Sequence, residues 1–174
     1  MHPCLDVLVR CEHQEDALER STVRSVNQAA FGRPDEADLV ESLRAEGAVL
    51  LSLVAEGEQG IVGHILFSRM WIETRSGPVA AAALAPGAVL PSHQRRGIGG
   101  RLIRHGLDLL RSRHERIVIV LGHADYYPRF GFSCEKAGSL ESPFRPEAFM
   151  AMELSPGALD GVRGKVRYPA AFGL

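Results

Sequence analysis

Apolar and polar positions change period several times along the chain. Leu5, Val7 and Val9 alternate with Asp6, Leu8 and Arg10, which predicts a first strand. Leu18, Val23, Val26 and Ala30 recur at roughly helical spacing and predict a helix over residues 14–31. Pro34 presets a second helix start, with Asp35 and Glu36 suited to the positive end of the dipole. Leu39, Val40 and Leu43 form the inward stripe of that helix, and Gly47 is its expected C′ residue. Apolar runs at 49–55 and 61–67 flank Glu56-Gly57-Glu58-Gln59-Gly60, a hairpin with a five-residue loop. A further strand is expected at about 79–90. A helix then carries Ile98, Leu102, Ile103, Leu109 and Leu110 on one face, with Arg111, Arg113 and His114 at its end. Residues 117–121 are apolar on both faces and read as a central strand. Tyr126 to Phe130 reads as a short helix or turn, 139–148 as a loop holding two prolines, and 149–154 and 162–168 as final strands. The order predicts an α+β or mixed α/β domain, not a regular β-α-β repeat.

Composition adds bounds. A chain of 174 residues with 45% hydrophobic and 24% charged residues is expected to form one domain over 1–174, with 139–174 as a loop-and-strand extension. A net charge of −1 argues against broad nucleic-acid or membrane-surface binding, though not against a local basic pocket. Residues 76–94 lack Asp, Glu, Lys and Arg but contain Pro78, Pro86, Gly87 and Pro91, which argues against a spanning helix. The N-terminus reaches Asp6 and Arg10 without an apolar core, so no secretion signal is expected. Cys4, Cys11 and Cys134 are far apart and form no Cys-x-x-Cys pair. Reduced thiols in a cytoplasmic protein with no metal are the expectation.

The segment His93-Gln94-Arg95-Arg96-Gly97-Ile98-Gly99-Gly100-Arg101 carries the candidate chemistry. It joins an apolar strand to an amphipathic helix. The first amides of a helix have no partner within it, and the dipole is positive there. Glycine lets a ligand approach the backbone closely. Arg95, Arg96 and Arg101 add positive charge, so the segment reads as a seat for a phosphate or pyrophosphate. It is not a Walker loop, because no Lys-Ser or Lys-Thr follows Gly99 or Gly100. Nor is it a dinucleotide fingerprint, because Leu102 stands where the third glycine belongs.

Gln94-Arg95-Arg96-Gly97-Ile98-Gly99 resembles the Q/R-x-x-G-x-G/A loop of the GNAT superfamily of acyl-CoA-dependent N-acyltransferases. The context fits as well: strand before, helix and strand after, then Tyr126-Tyr127-Pro128-Arg129-Phe130-Gly131-Phe132, similar to that family's Tyr-x-x-x-Gly-Phe segment. The resemblance covers about residues 5–137. Ala30-Phe31-Gly32, Leu53-Val54-Ala55, Gly63-His64-Ile65-Leu66-Phe67-Ser68 and Pro146-Glu147-Ala148-Phe149-Met150 are similar to the bacterial YhbS-type acetyltransferases.

The resemblance implies a twisted, largely antiparallel sheet flanked by helices, with a splay between the fourth and fifth strands. It implies acetyl-CoA as cosubstrate and an unidentified primary amine, small or on a protein, as acceptor. A homodimer is an open possibility. The amides of Arg95, Arg96, Gly97, Ile98, Gly99 and Gly100 would hold the CoA pyrophosphate, with Gln94 and Arg101 beside them. Ala88, Val89 and Leu90 would pair with the pantetheine like an added strand, a Val89 amide polarising the thioester carbonyl. Tyr127 matches the position of the acid that protonates the departing thiolate. His123 is the first candidate for the base, with Asp125, Glu56, His64 or a water relay as alternatives. Glu56, Glu73 and Asp125 are candidates for holding a cationic acceptor. Cys134 reads as a small packing residue more than a nucleophile. A non-catalytic CoA or acyl-CoA sensor, and a transferase with a longer acyl donor, remain the alternatives.

Overall fold

The computed structural model describes residues 6–174, so Cys4 and Leu5 lie outside the described residues. The chain runs β1 (Leu8–Cys11), α1 (Ala17–Phe31), α2 (Asp35–Ala45), β2 (Val49–Gly57), β3 (Gly60–Thr74), β4 (Gly77–Val89), α3 (Ile98–Ser112), β5 (Ile117–Leu121), β6 (Leu140–Glu141), β7 (Phe149–Glu153) and β8 (Gly164–Arg167). This is the expected mixed α/β order. The strands join in the order β1-β2-β3-β4-β5-β7, with β8 beside β3 and β6 beside β8. β4 and β5 are parallel, through Ala82↔Val118, Ala83↔Ile119 and Leu84↔Val120. That ladder ends at Leu84, opposite Val120, one residue before β5 itself ends, while β4 continues to Val89.

The described residues form two compact units, 6–67 with 86–106 and 68–85 with 107–174. In the first, α1 packs against α2, tied by Arg24–Asp38 at 2.6 Å and by an Arg20–Glu41 ion pair. Asp16 caps α1 through Leu18 N–H at 2.9 Å and Glu19 N–H at 3.3 Å. The inward stripe of α1 differs from expectation. Leu18 is 77% exposed, and Glu19 and Asn27 are buried beside Val23 and Val26. Both buried polar residues make local hydrogen bonds. Glu19 pairs with Arg10 and accepts the His13 amide, both at 2.8 Å, which holds its carboxyl down at about 2. Asn27 donates to the Val23 carbonyl at 3.0 Å.

The hairpin loop is Glu58-Gln59, shorter than expected, because Glu56 stays in the ladder opposite Leu8 and bonds Arg10 at 2.8 Å. β3 also runs past Phe67 to Thr74. Ser68 is fully buried within the strand, and Arg69 is held by Glu115 at 2.9 and 2.5 Å. The distal half of β3 pairs with β8 through Trp71↔Arg167 to Thr74↔Gly164.

Gly63 and Gly106 set how closely α3 approaches β3 within the first unit. A Cβ at Gly63 would come within 3.1 Å of Leu102 and 3.2 Å of Ile98, and one at Gly106 would lie 2.7 Å from Phe67 Cζ. The buried face of α3 is Ile98, Leu102, Ile103, Leu107 and Leu110. Leu107, not Leu109, completes it, since it follows Ile103 by one full turn. In the second unit, Met70, Ile72, Ala81, Ala83, Ile117, Ile119, Phe149, Ala151 and Val166 share one core. No helix among the described residues is long and apolar enough to cross a membrane.

Candidate active site

The loop before α3 is built from the backbone. Leu90 donates to the Val62 carbonyl at 2.9 Å, and its own carbonyl accepts His93 N–H at 2.8 Å. Both Leu90 groups are therefore in use inside the protein. In an antiparallel pair, neighbouring residues direct their polar groups to opposite edges. Val89 consequently turns its N–H and C=O away from β3. Its carbonyl receives the Gln94 side-chain amide at 3.0 Å, which ties the loop back to the strand.

Pro91 to His93 form a single 3-10 turn, followed by Arg95 at φ 60° and Gly97 at φ 81°. The positive values at 95 and 97, with Arg96 between them, turn successive amides toward one side, the concavity that receives anions. A left-handed arginine costs about 1 kcal/mol, a local strain of the kind found at binding loops. The helical ladder begins with Arg101 N–H on the Gly97 carbonyl at 3.1 Å. The amides of Ile98, Gly99 and Gly100 therefore have no carbonyl inside α3 to bond. Ile98 anchors the turn, since its side chain is buried against Gly63. Arg95, Arg96 and Arg101 are exposed around it. Ala88 is buried in β4 two residues before Leu90.

Tyr127 and His123 belong to the second unit, beyond β5. Gly122 bonds the Ala148 carbonyl at 2.9 Å, and the chain then turns so that His123 O accepts Tyr126 N–H at 3.1 Å and Tyr127 N–H at 3.3 Å. Tyr127 is half-buried, edge-on to Tyr126 at 5.1 Å and to Phe132 at 5.8 Å. Burial, and to a lesser degree Tyr126, pushes its phenol above the usual range, so it is protonated at neutral pH. Gly131 supplies a left-handed turn at φ 104°, which sends buried Phe132 back against the Tyr127 ring. This is the physical content of the Tyr-x-x-x-Gly-Phe spacing. His123 and Asp125 are exposed in the turn. Arg129 clasps the Tyr126 carbonyl at 2.9 Å and lies 4.6 Å from the Tyr126 ring centroid.

The remaining candidates are occupied elsewhere. Glu56 is paired with Arg10, and Glu73 with Arg167 at 3.0 Å. Cys134 is half-buried with its Sγ 3.5 Å from the Glu147 carbonyl. His64 is fully buried in a polar network that residue spacing did not reveal beyond the histidine itself. Asn27 Nδ2 also donates to the Val23 carbonyl, so its second hydrogen goes to His64 Nδ1 at 3.0 Å. His64 then carries its proton on Nε2 and donates to Ser52 Oγ at 2.9 Å. Ser52 donates in turn to Glu12, which Arg44 also binds. Burial, then Arg44, holds the His64 pKa down at about 3. A serine–histidine–acid triad is excluded, because a protonated Nε2 cannot take the serine proton. Among the described residues, no group of three or more His, Cys, Asp or Glu is arranged to hold a metal.

Comparison with known proteins places the chain in a family. Residues 15–134 match the family described as Acetyltransferase (GNAT) domain. The uncharacterized N-acetyltransferase YjhQ of Escherichia coli (strain K12) is 46% identical over 122 residues, 69% of this chain and 67% of that protein. The crystal structure of the GNAT family N-acetyltransferase YhbS from Escherichia coli in complex with CoA superposes with a TM-score of 0.87 at 29% identity, over 100% of this chain and 96% of that one. A GNAT family acetyltransferase from Brucella melitensis in complex with acetyl-CoA gives a TM-score of 0.78 at 35% identity, over 95% and 97% of the two chains.

Proposed function

The chain belongs to the GNAT family of acetyltransferases, and from that premise we propose that it transfers an acetyl group from acetyl-CoA to a primary amine by direct attack in a ternary complex. Residues 1–174 act as one catalytic domain, with 139–174 as its extension. The observation that carries the reading is the row of amides from Arg95 to Gly100, with positive φ at 95 and 97 and no helical carbonyl for Ile98, Gly99 and Gly100. Such a row matches a diphosphate, whose oxygens accept several N–H bonds at once. Arg95, Arg96 and Arg101 balance the charge, and Gln94 braces the loop against Val89.

Leu90 has both backbone groups engaged, which supports Val89 as the residue whose N–H meets the thioester carbonyl. There it would stabilise the oxygen that becomes negative as the amine attacks. The new C–N bond forms, the C–S bond breaks, the CoA thiolate takes a proton from Tyr127 Oη, and the acylated nitrogen sheds its extra proton, which restores the phenol. Tyr127 keeps its proton at neutral pH and so has one to give to the departing thiolate. His123 accepts the proton that the ammonium must lose before attack. The relatives crystallised with CoA and with acetyl-CoA support this donor.

The test is thiol release from acetyl-CoA with spermidine, single amino acids, an aminoglycoside and lysine peptides in parallel. Amine-dependent release in at least one arm is expected. CoA binding with no amine-dependent release in any arm would turn the reading to a sensor.

A further inference from the structure

We propose that Gly122 is a positioning residue for Tyr127: its missing side chain is the slot into which the phenol ring fits. The proposal rests on the reading of Tyr127 as the acid. β5 ends at Leu121, opposite Phe149 of β7, and Gly122 continues that alignment by donating to the Ala148 carbonyl at 2.9 Å. A Cβ at Gly122 would lie 2.8 Å from Tyr127 Cδ2, 3.3 Å from Cζ, and nearer still to Cε2. Real side chains do not approach that closely, so any residue with a Cβ must evict the ring. The backbone supplies no other reason for glycine here, since Gly122 is not among the residues with positive φ.

The ring has little room to yield. Tyr126 and Phe132 both meet it edge-on, at interplanar angles of 83°. Tyr127 N–H is bonded to His123 O at 3.3 Å, and Pro128 follows directly and restricts the Tyr127 backbone. The direction of the phenol oxygen is therefore set by rotation about the tyrosine side-chain bonds, and Gly122 removes the obstacle to the observed rotation. A misplacement of about 1 Å in a reacting group costs on the order of 10²-fold in rate. Gly122 touches no reacting atom, and its effect passes through the ring.

The experiment is Gly122→Ala made alone and in a Tyr127→Phe background, with two readouts. The first is kcat and the KM for acetyl-CoA, using the fastest amine of the panel above. The second is the fluorine NMR spectrum of protein carrying 3-fluorotyrosine at its three tyrosines, Tyr126, Tyr127 and Tyr168, with the Tyr127 signal identified by its loss in Tyr127→Phe. Gly122→Ala is expected to move the Tyr127 signal and leave that of Tyr168, which also reports that the fold is kept. It is expected to lower kcat at least tenfold with KM for acetyl-CoA within twofold, yet to cost less than twofold on top of Tyr127→Phe. An unmoved Tyr127 signal, or the same fold-loss in both backgrounds, would overturn the proposal. Full turnover by Tyr127→Phe sinks the acid reading instead, and the fluorine signal alone then decides whether Gly122 places the ring.

Discussion

Gly97 and Gly122 sit beside the two halves of the proposed chemistry and use the same residue for opposite reasons. Gly97 has φ 81°, and a Cβ there would meet nothing within 4 Å. It is needed for its backbone, which turns amides toward one side. Gly122 has no such φ, and a Cβ there would strike the Tyr127 ring. It is needed for its vacancy. In the proposed reading the loop would recognise a ligand with main-chain groups, while the turn after β5 would aim one side chain. Substitution at Gly97 should therefore weaken donor binding, and substitution at Gly122 should slow turnover.

The largest expected effect lies on the side-chain half. Tyr127→Phe should lower kcat by on the order of 10²-fold or more while KM for acetyl-CoA stays within twofold, measured by thiol release. A retained kcat would reduce Tyr127 to a packing residue and erase the contrast.

A third region sharpens the comparison through stability. His64 follows Gly63, on which α3 is seated, and it is neutral in the fold with its pKa near 3. The unfolded chain returns it to about 6.5. The unfolded state therefore binds the extra proton as pH falls below about 6.5, and stability drops by about 1.4 kcal/mol per unit until the folded value is reached. Glu19, held at about 2, adds loss in the same direction only as pH falls below its ordinary value of 4.5. Urea melts between pH 6.5 and 4.5 should slope for the wild type and flatten for His64→Gln. Equal slopes would remove His64 as the cause.

Gly106 represents a third use of glycine. Alanine there would gain about 1 kcal/mol from helix propensity but must push into Phe67. Gly106→Ala should destabilise by about 1–3 kcal/mol in thermal or urea melts. A gain in stability would mean that α3 has room to shift.

The contrast between Gly97 and Gly122 also explains what was legible in the sequence. The proposed phosphate loop was legible because its parts are local: glycines, arginines and a helix start are neighbours in the chain. The end of α2 at Gly47 and the buried run of β5 were legible for the same reason. Gly122 was not, because its partner, the ring five residues on, is defined by how the turn folds back. The Asn27–His64–Ser52–Glu12–Arg44 network was hidden because its members come from five different segments and each looks ordinary alone. Its trace was a polar residue inside each of two apolar strands, Ser52 and His64. Leu18 and Glu19 exchanged places because a paired carboxylate satisfied burial better than periodicity alone predicts. β3 outran its apolar run because Arg69 had Glu115 waiting for it.

The central claim is that main-chain amides at 95–100 hold the diphosphate of the donor. Isothermal calorimetry of acetyl-CoA and of acetyl-pantetheine, which lacks the diphosphate, against the wild type and Gly97→Val tests it most directly. The account predicts that valine weakens acetyl-CoA about tenfold, equivalent to about 1.4 kcal/mol, and leaves acetyl-pantetheine unchanged. Failure of acetyl-CoA to bind the folded wild type at millimolar concentration, or an equal loss for both ligands, would contradict it.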